Sequence, residues 1–305
     1  MSRFATAKSD ARGFIVVAVL WILAALSALV LIYLSYVTNT AVVVATGADR
    51  VQSETLISAG VELAAFQLSN ARDFSRPTSG TFNARVGAGR VAVTFRSEAA
   101  RIDLNAAPKS LLAGLITGLG ANPSDAVSYA ERIMAWRTPT ESADDDPENS
   151  FYRTSGVPYL PRHAPFPQAE ELWLVRGIPP LVIEKMLPFV TVFSNLASVN
   201  VLDAAPQVLA ALPNMTPGAL QEVLALRADP NADPQAVRAL AGGEGATLEG
   251  SRAYRLTVQA TSGTGVASAA DVVILLLDNG ADAYRVLSWR NAADGGIAPQ
   301  RTARR

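Results

Sequence analysis

The sequence contains no cysteine and a single histidine, His163. The lack of thiols removes thiolate catalysis, cysteine-ligated zinc and any disulfide framework. One imidazole leaves little room for metal hydrolases or Ser-His-Asp designs. Charge is also scarce, with 17% charged residues and a net charge of -1, so the basic excess of a general nucleic-acid binder is missing. No GxSxG elbow, P-loop or HExxH string occurs. Together these absences point away from an enzyme. What is abundant is apolar: 50% of the 305 residues. That excludes disorder and allows a sizeable core, as two domains or as one domain with a large insertion.

The longest apolar run is Phe14 to Leu34, broken only by Ser27 and Tyr33, and no charge follows until Asp49. As a helix rising about 1.5 Å per residue it reaches roughly 30 Å, the thickness of a bilayer core. Arg3, Lys8 and Arg12 precede it against Asp10 alone, which keeps the leader cytoplasmic and sends the carboxyl-terminal bulk across the membrane. A secretory signal peptide has an apolar core of only about 7–15 residues, so this run is too long for one. Helical spacing continues through Ile57, Val61, Ala64 and Leu68, while Arg50, Glu54 and Glu62 fall elsewhere. One helix from Phe14 to about Asn70 is expected, apolar all round in its first half and amphipathic in its second.

Polar, turn-rich Arg72 to Thr81 ends that helix. Val91, Val93 and Phe95 alternate with smaller or polar residues as a half-buried strand, and the Gly87-Ala88-Gly89 string before them opens a strand rather than a helix, so it reads as a turn and not a dinucleotide fingerprint. Three further strands are predicted at Tyr254 to Ala260, Asp271 to Leu277 and Tyr284 to Trp289. About 150 residues of helical character lie between. Within them Leu104-Asn105-Ala106-Ala107-Pro108 returns as Leu202-Asp203-Ala204-Ala205-Pro206, each followed by a leucine-bearing helix. Asn105 and Asp203 read as N-caps, with each proline inside the first turn.

Arg12-Gly13 followed by Phe14 and the uninterrupted helix resembles the processing signal of type IV pilins and pseudopilins. The resemblance implies cleavage by a prepilin peptidase between Gly13 and Phe14. It also places Ala18 where most of that family carry glutamate, an absence shared with the K-type minor pseudopilins of type II secretion systems. The two Ala-Ala-Pro helices, with Glu171 to Ile178 as a leucine-rich helix ending in Val175-Arg176-Gly177-Ile178, resemble the inserted modules of that K family. Its implied fold is α+β: a long amino-terminal helix packed on a small antiparallel sheet, with a large inserted α-helical domain made of two SAM-like, helix-hairpin-helix-related modules. The boundaries that follow are a leader at 1–13, the pilin helix at 14–72 and a first strand region at 82–100. Helical modules at 101–197 and 198–250, carboxyl-terminal strands at 251–290 and a disordered tail at 291–305 complete the chain. The implied function is capping the tip of the pseudopilus and helping to start its assembly for export across the outer membrane. Partners are then the I-type and J-type minor pseudopilins, with contacts along Ile57, Val61 and Leu68, and the location is the inner membrane, single-pass, with a periplasmic domain. An uncut signal anchor is the competing reading of the amino terminus.

Helix-hairpin-helix modules can instead bind DNA, which would make the chain a membrane-anchored binding protein such as a pilus-associated DNA receptor. Residues 101–245 carry 10 Lys or Arg against 16 Asp or Glu, a balance hostile to a phosphate backbone, so no nucleic acid is expected. The second module also has Pro213-Asn214-Met215-Thr216 where a glycine hairpin would be needed. His163 reads as a surface-loop residue. Asp144, Asp145, Asp146 and Glu148 form the one dense carboxylate group. Their spacing is not an EF-hand, yet hard oxygens on an irregular loop suit calcium, and the K family resemblance implies a calcium loop after Trp136. A calcium site and a solvated acidic loop both remain open on the sequence.

Overall fold

The computed structural model describes residues 11–71, 76–142, 145–277 and 282–291; the leader before Ala11, Asp144 and the tail beyond Asn291 lie outside the described residues. Helix α1 (Ala11–Asn70) is continuous over 60 residues, roughly 90 Å at 1.5 Å per residue. Its Val16–Tyr36 stretch is long and apolar enough to cross a membrane and is not buried against any of the described residues.

The second half of α1 covers one face of a five-stranded antiparallel sheet formed by β1 (Ser79–Val86), β2 (Gly89–Ser97), β7 (Ala253–Thr261), β8 (Ala267–Leu276) and β9 (Tyr284–Asn291), in that order. Alternation sends Val91, Val93 and Phe95 of β2 inward, where they meet Leu256, Val258, Val272 and Ile274 beneath Ile57, Val61, Ala64 and Leu68 of α1. Each fully buried aliphatic side chain contributes about 1.5–3 kcal/mol, so this contact fixes the helix to the sheet. The predicted late strands are all present. The first strand region is a hairpin rather than a single strand: β1 pairs with β2 from Ser79↔Arg96 to Val86↔Gly89 around the turn at Gly87 and Ala88. The sequence reading missed β1 although Phe82, Ala84 and Val86 alternate with Thr81, Asn83 and Arg85; the half-buried face they make is weaker than the fully buried one of β2.

A helical domain leaves the sheet after Ser97 and returns at Ala253, so it is inserted after the second strand, not the first. Its first module runs through β3 (Ile102–Asp103), α2 (Lys109–Gly118), α3 (Pro123–Arg137), α4 (Pro147–Thr154), α5 (Pro180–Met186) and β4 (Val190–Thr191). The second comprises β5 (Val199–Asn200), α6 (Pro206–Ala210), α7 (Pro217–Ala228), α8 (Pro234–Leu240) and β6 (Ala246–Thr247). Glu171 to Ile178, read as a helix, instead spans the end of a 3-10 segment (Ala169–Leu174) and the turn that follows it.

The internal repeat is real but is registered one residue away from the Ala-Ala-Pro match. Ile102 pairs in parallel with Val190 and Val199 with Ala246; Leu104 N–H donates to Thr191 O at 2.8 Å and Val201 N–H to Thr247 O at 3.0 Å. Asp103 Oδ1 then accepts from Asn105 N at 2.7 Å as Asn200 Oδ1 accepts from Leu202 N at 2.9 Å. Pro108 and Ala205 are the residues before the two helices, and Arg137 and Arg227 donate to the carbonyls of Ala107 and Ala204. Asn105 and Asp203 are therefore not helix caps, because Asp103 and Asn200 make the turn two and three residues earlier. Asn105 instead bridges to Phe166 through both amide atoms, and Asp203 accepts from Ser79 Oγ at 2.6 Å. Where the first module turns at Gly120 (φ +101), the second uses Asn214 (φ +62), a residue type that tolerates this conformation. The two modules touch at Gly114, whose α-carbon faces the Ala211 backbone.

Candidate functional site

Three regions bear on function: the free face of α1, the joint between sheet and insert, and the acidic loop. On α1, Ile57, Val61 and Leu68 are 2%, 1% and 1% exposed, buried under the chain's own sheet. They are not available to a partner helix, which corrects their assignment as contact residues. The periodicity had identified a buried face correctly without saying what buries it. The opposite side of the helix carries Val51 and Phe66, 64% and 66% exposed, with Thr55 and Glu62 between them. Glu62 accepts from the Tyr284 hydroxyl at 2.8 Å, which marks where β9 borders this face. Gly13, Phe14 and Ala18 all fall within α1.

The joint is built on buried charge. Glu98 is 1% exposed and pairs with Arg255 Nε at 2.8 Å, while the Thr191 hydroxyl of β4 donates to the same carboxylate. Arg255 also meets Asp271 at 2.6 Å, and Arg290 links Asp271 at 3.4 Å to Glu170 of the insert at 2.9 Å. Burial would lower Arg255, but Glu98 and Asp271 together hold it above the usual arginine range. Neighbouring Arg101 has no side-chain bond to an acid among the described residues, and burial, followed by repulsion from Arg255, lowers it to about 10. Where the insert leaves and returns, Ser97 Oγ accepts from Ser251 N at 2.8 Å.

In the acidic loop each described acid has a protein partner. Asp145 accepts from Ser142 Oγ at 3.2 Å. Asp146 caps α4, taking the amides of Glu148 at 2.8 Å and Asn149 at 3.1 Å. Burial pushes its carboxyl up, and hydrogen bonds from Asn149, Thr140 and Glu148 together more than reverse this. Glu148 pairs with Arg132 at 3.1 Å; burial outweighs that attraction and leaves its carboxyl above the usual range. Asp144 lies outside the described residues. Among the described residues no three acids or histidines converge as a metal cage. His163 is more than a surface residue: at φ +51 its ring bridges Thr138 O at 3.2 Å and Asn149 Oδ1 at 3.0 Å, tying its own loop to both ends of the acidic one. One histidine among prolines gave no sequence signal for that.

Residues 93–195 match the family model described as type II secretion system (T2SS), protein K. No curated protein matches the chain. Among solved structures, the fold is similar to a chain in the crystal structure of the GspK-GspI-GspJ complex from the enterotoxigenic Escherichia coli Type 2 Secretion System. The TM-score is 0.54 at 20% identity, over 78% of this chain and 94% of that one. The family match covers the end of β2 and the first helical module, so that part of the chain is similar to type II secretion protein K, and the fold as a whole is similar to a chain of the GspK-GspI-GspJ complex.

Proposed function

We propose that this chain is the tip subunit of a type II secretion pseudopilus, anchored in the inner membrane by Val16–Tyr36 with its folded part in the periplasm, and that it caps the filament and helps to start its assembly. The observation that carries this reading is where the insert sits. Moving along α1 away from the membrane, Leu56 lies by Gly89, Gly60 by Val93 and Val258, and the chain after the helix, at Pro77, by the Tyr254 hydroxyl. Strand β2 therefore runs outward, and the insert opens from its membrane-distal end. A domain of about 150 residues there leaves no room for another subunit stacked above. Ala18 agrees from inside the bilayer. A carboxylate at that depth costs about 2.5–3.5 kcal/mol unless paired, and a tip subunit has no neighbour above to supply the amine.

Partners of this reading are the I-type and J-type minor pseudopilins, after the complex that shares the fold. They dock on the Val51 and Phe66 side of α1, since Ile57, Val61 and Leu68 are taken up by the sheet. Prepilin peptidase removes residues 1–13. The reading assigns the chain no catalytic step. Two measurements test it together: mature protein from cells with the peptidase begins at Phe14, and a photocrosslinker replacing Phe66 captures another pseudopilin while one replacing Val61 does not. A chain still starting at Met1 or Ser2, or crosslinks from Val61 alone, contradicts it.

A further inference from the structure

We propose that the outer face of the β1–β2 hairpin, on the side of the sheet away from α1, is a docking surface for an acidic segment of another protein, with Arg85 and Arg90 as its anchors. Phe82, Ala84 and Val86 of β1 and Val91, Val93 and Phe95 of β2 belong to the core under α1. The residues between them point to the opposite face, where Thr81, Asn83, Arg85, Arg90 and Thr94 are all exposed. Arg85 and Arg90 stand directly opposite each other in the strand register. Neither pairs with an acid among the described residues. Like charges at facing positions work against the hairpin that carries them.

A charge on β1 alone would serve to guard an open sheet edge, since β1 is the outermost strand. Arg90 has no such task, because β2 is paired on both sides and the residue facing it on β7 is Thr261. The acid of β8 on this face, Asp271, lies two strands from β2 and is taken by Arg255 and Arg290. What the fold leaves uncompensated is therefore a pair of guanidinium forks, each shaped to take the edge of a carboxylate. Position favours a protein over a lipid surface. Gly89, where β2 begins, lies against Leu56, which is 20 residues beyond the end of the apolar stretch at Tyr36. That is about 30 Å along the helix, whereas surface charge is screened within about 8–10 Å. Two arginines without a lysine on either strand supply few of the phosphate contacts on which nucleic-acid affinity rests. The surface faces away from α1, so it is separate from the Val51 and Phe66 side.

The test uses the full chain in phosphatidylcholine nanodiscs, with binding of a fluorescein-labelled oligoglutamate peptide read by anisotropy and stability read by thermal melting. Arg85→Glu is expected to weaken peptide binding about fivefold or more. The same change turns the facing charges into an opposite pair, so its melting temperature should rise by about 1–4 °C. Loss of binding together with a gain in stability is a result that misfolding does not produce. Arg238→Glu, the same change of charge at an exposed position on α8, should bind the peptide as wild type does. Should Arg85→Glu fail to fold, Arg90→Glu supplies the same comparison from the other strand. Short duplex DNA and phosphatidylglycerol vesicles are the competing probes. Equal peptide affinity for wild type and Arg85→Glu, a folded Arg85→Glu that melts lower than wild type, or an Arg85-dependent affinity higher for the duplex or the vesicles than for the peptide, overturns the proposal.

Discussion

The joint between the two helical modules can be probed with one methyl group. Gly114 lies in the middle of α2, and a Cβ added there would sit less than 3.0 Å from the carbonyl oxygen of Ala211, 3.0 Å from its carbon and 3.2 Å from its Cα. All three are backbone atoms at the end of α6, so no rotamer change relieves the contact and one helix must retreat. Overpacking of this kind costs about 1–3 kcal/mol, sometimes more. Against it stands the helix preference for alanine over glycine, about 1 kcal/mol in an exposed interior. The geometry decides the sign: Gly114→Ala should lose about 1–2 kcal/mol net, which at about 2–4 °C per kcal/mol is a fall of roughly 2–8 °C in melting temperature. Gly118→Ala, at the end of the same helix with nothing within 4 Å, is the control. It should be neutral or stabilising by about 0.5 kcal/mol. Melting of the full chain followed by near-ultraviolet circular dichroism reads both. If the two variants melt alike, α2 and α6 do not meet as described.

The charged joint makes an asymmetric prediction. Arg255→Met leaves Glu98 and Asp271 without their shared cation and should cost about 3–5 kcal/mol, whereas Arg101→Met removes a poorly compensated guanidinium and should be neutral or stabilising; urea denaturation of the two variants compares them. Tyr284 gives a pH signature, since burial and then the Glu62 carboxylate push its phenol up to about 12. Its contribution is complete below the unfolded value near pH 10 and lost as pH rises toward about 12, so Tyr284→Phe should abolish that alkaline step in stability.

Much of this architecture is legible in the sequence because it rests on repetition. Twenty-one residues without a charge, apolar except at Ser27 and Tyr33, admit one kind of helix, and Tyr254 to Ala260 shows its strand by alternation. The duplicated Ala-Ala-Pro motif exposed the two modules, yet it misplaced their register by one residue. Alanine and proline tolerate several positions near a helix start, whereas the turn is set by the less conspicuous Asp103 and Asn200, each of which bonds its own backbone two residues on. Ile57, Val61 and Leu68 were found as an apolar stripe, but a stripe states that something covers it, not whether a sheet or a neighbour does so. The partners of Glu148 and His163 lie 16 and 14 residues away or more, on other elements, and no local pattern reports such pairings.

The central proposal is one of position: that a subunit with this insert sits at the end of the filament. Counting fluorescently labelled copies of this chain on assembled pseudopili tests it most directly. The account predicts one copy per filament, at one end. Copies distributed along the length would contradict it.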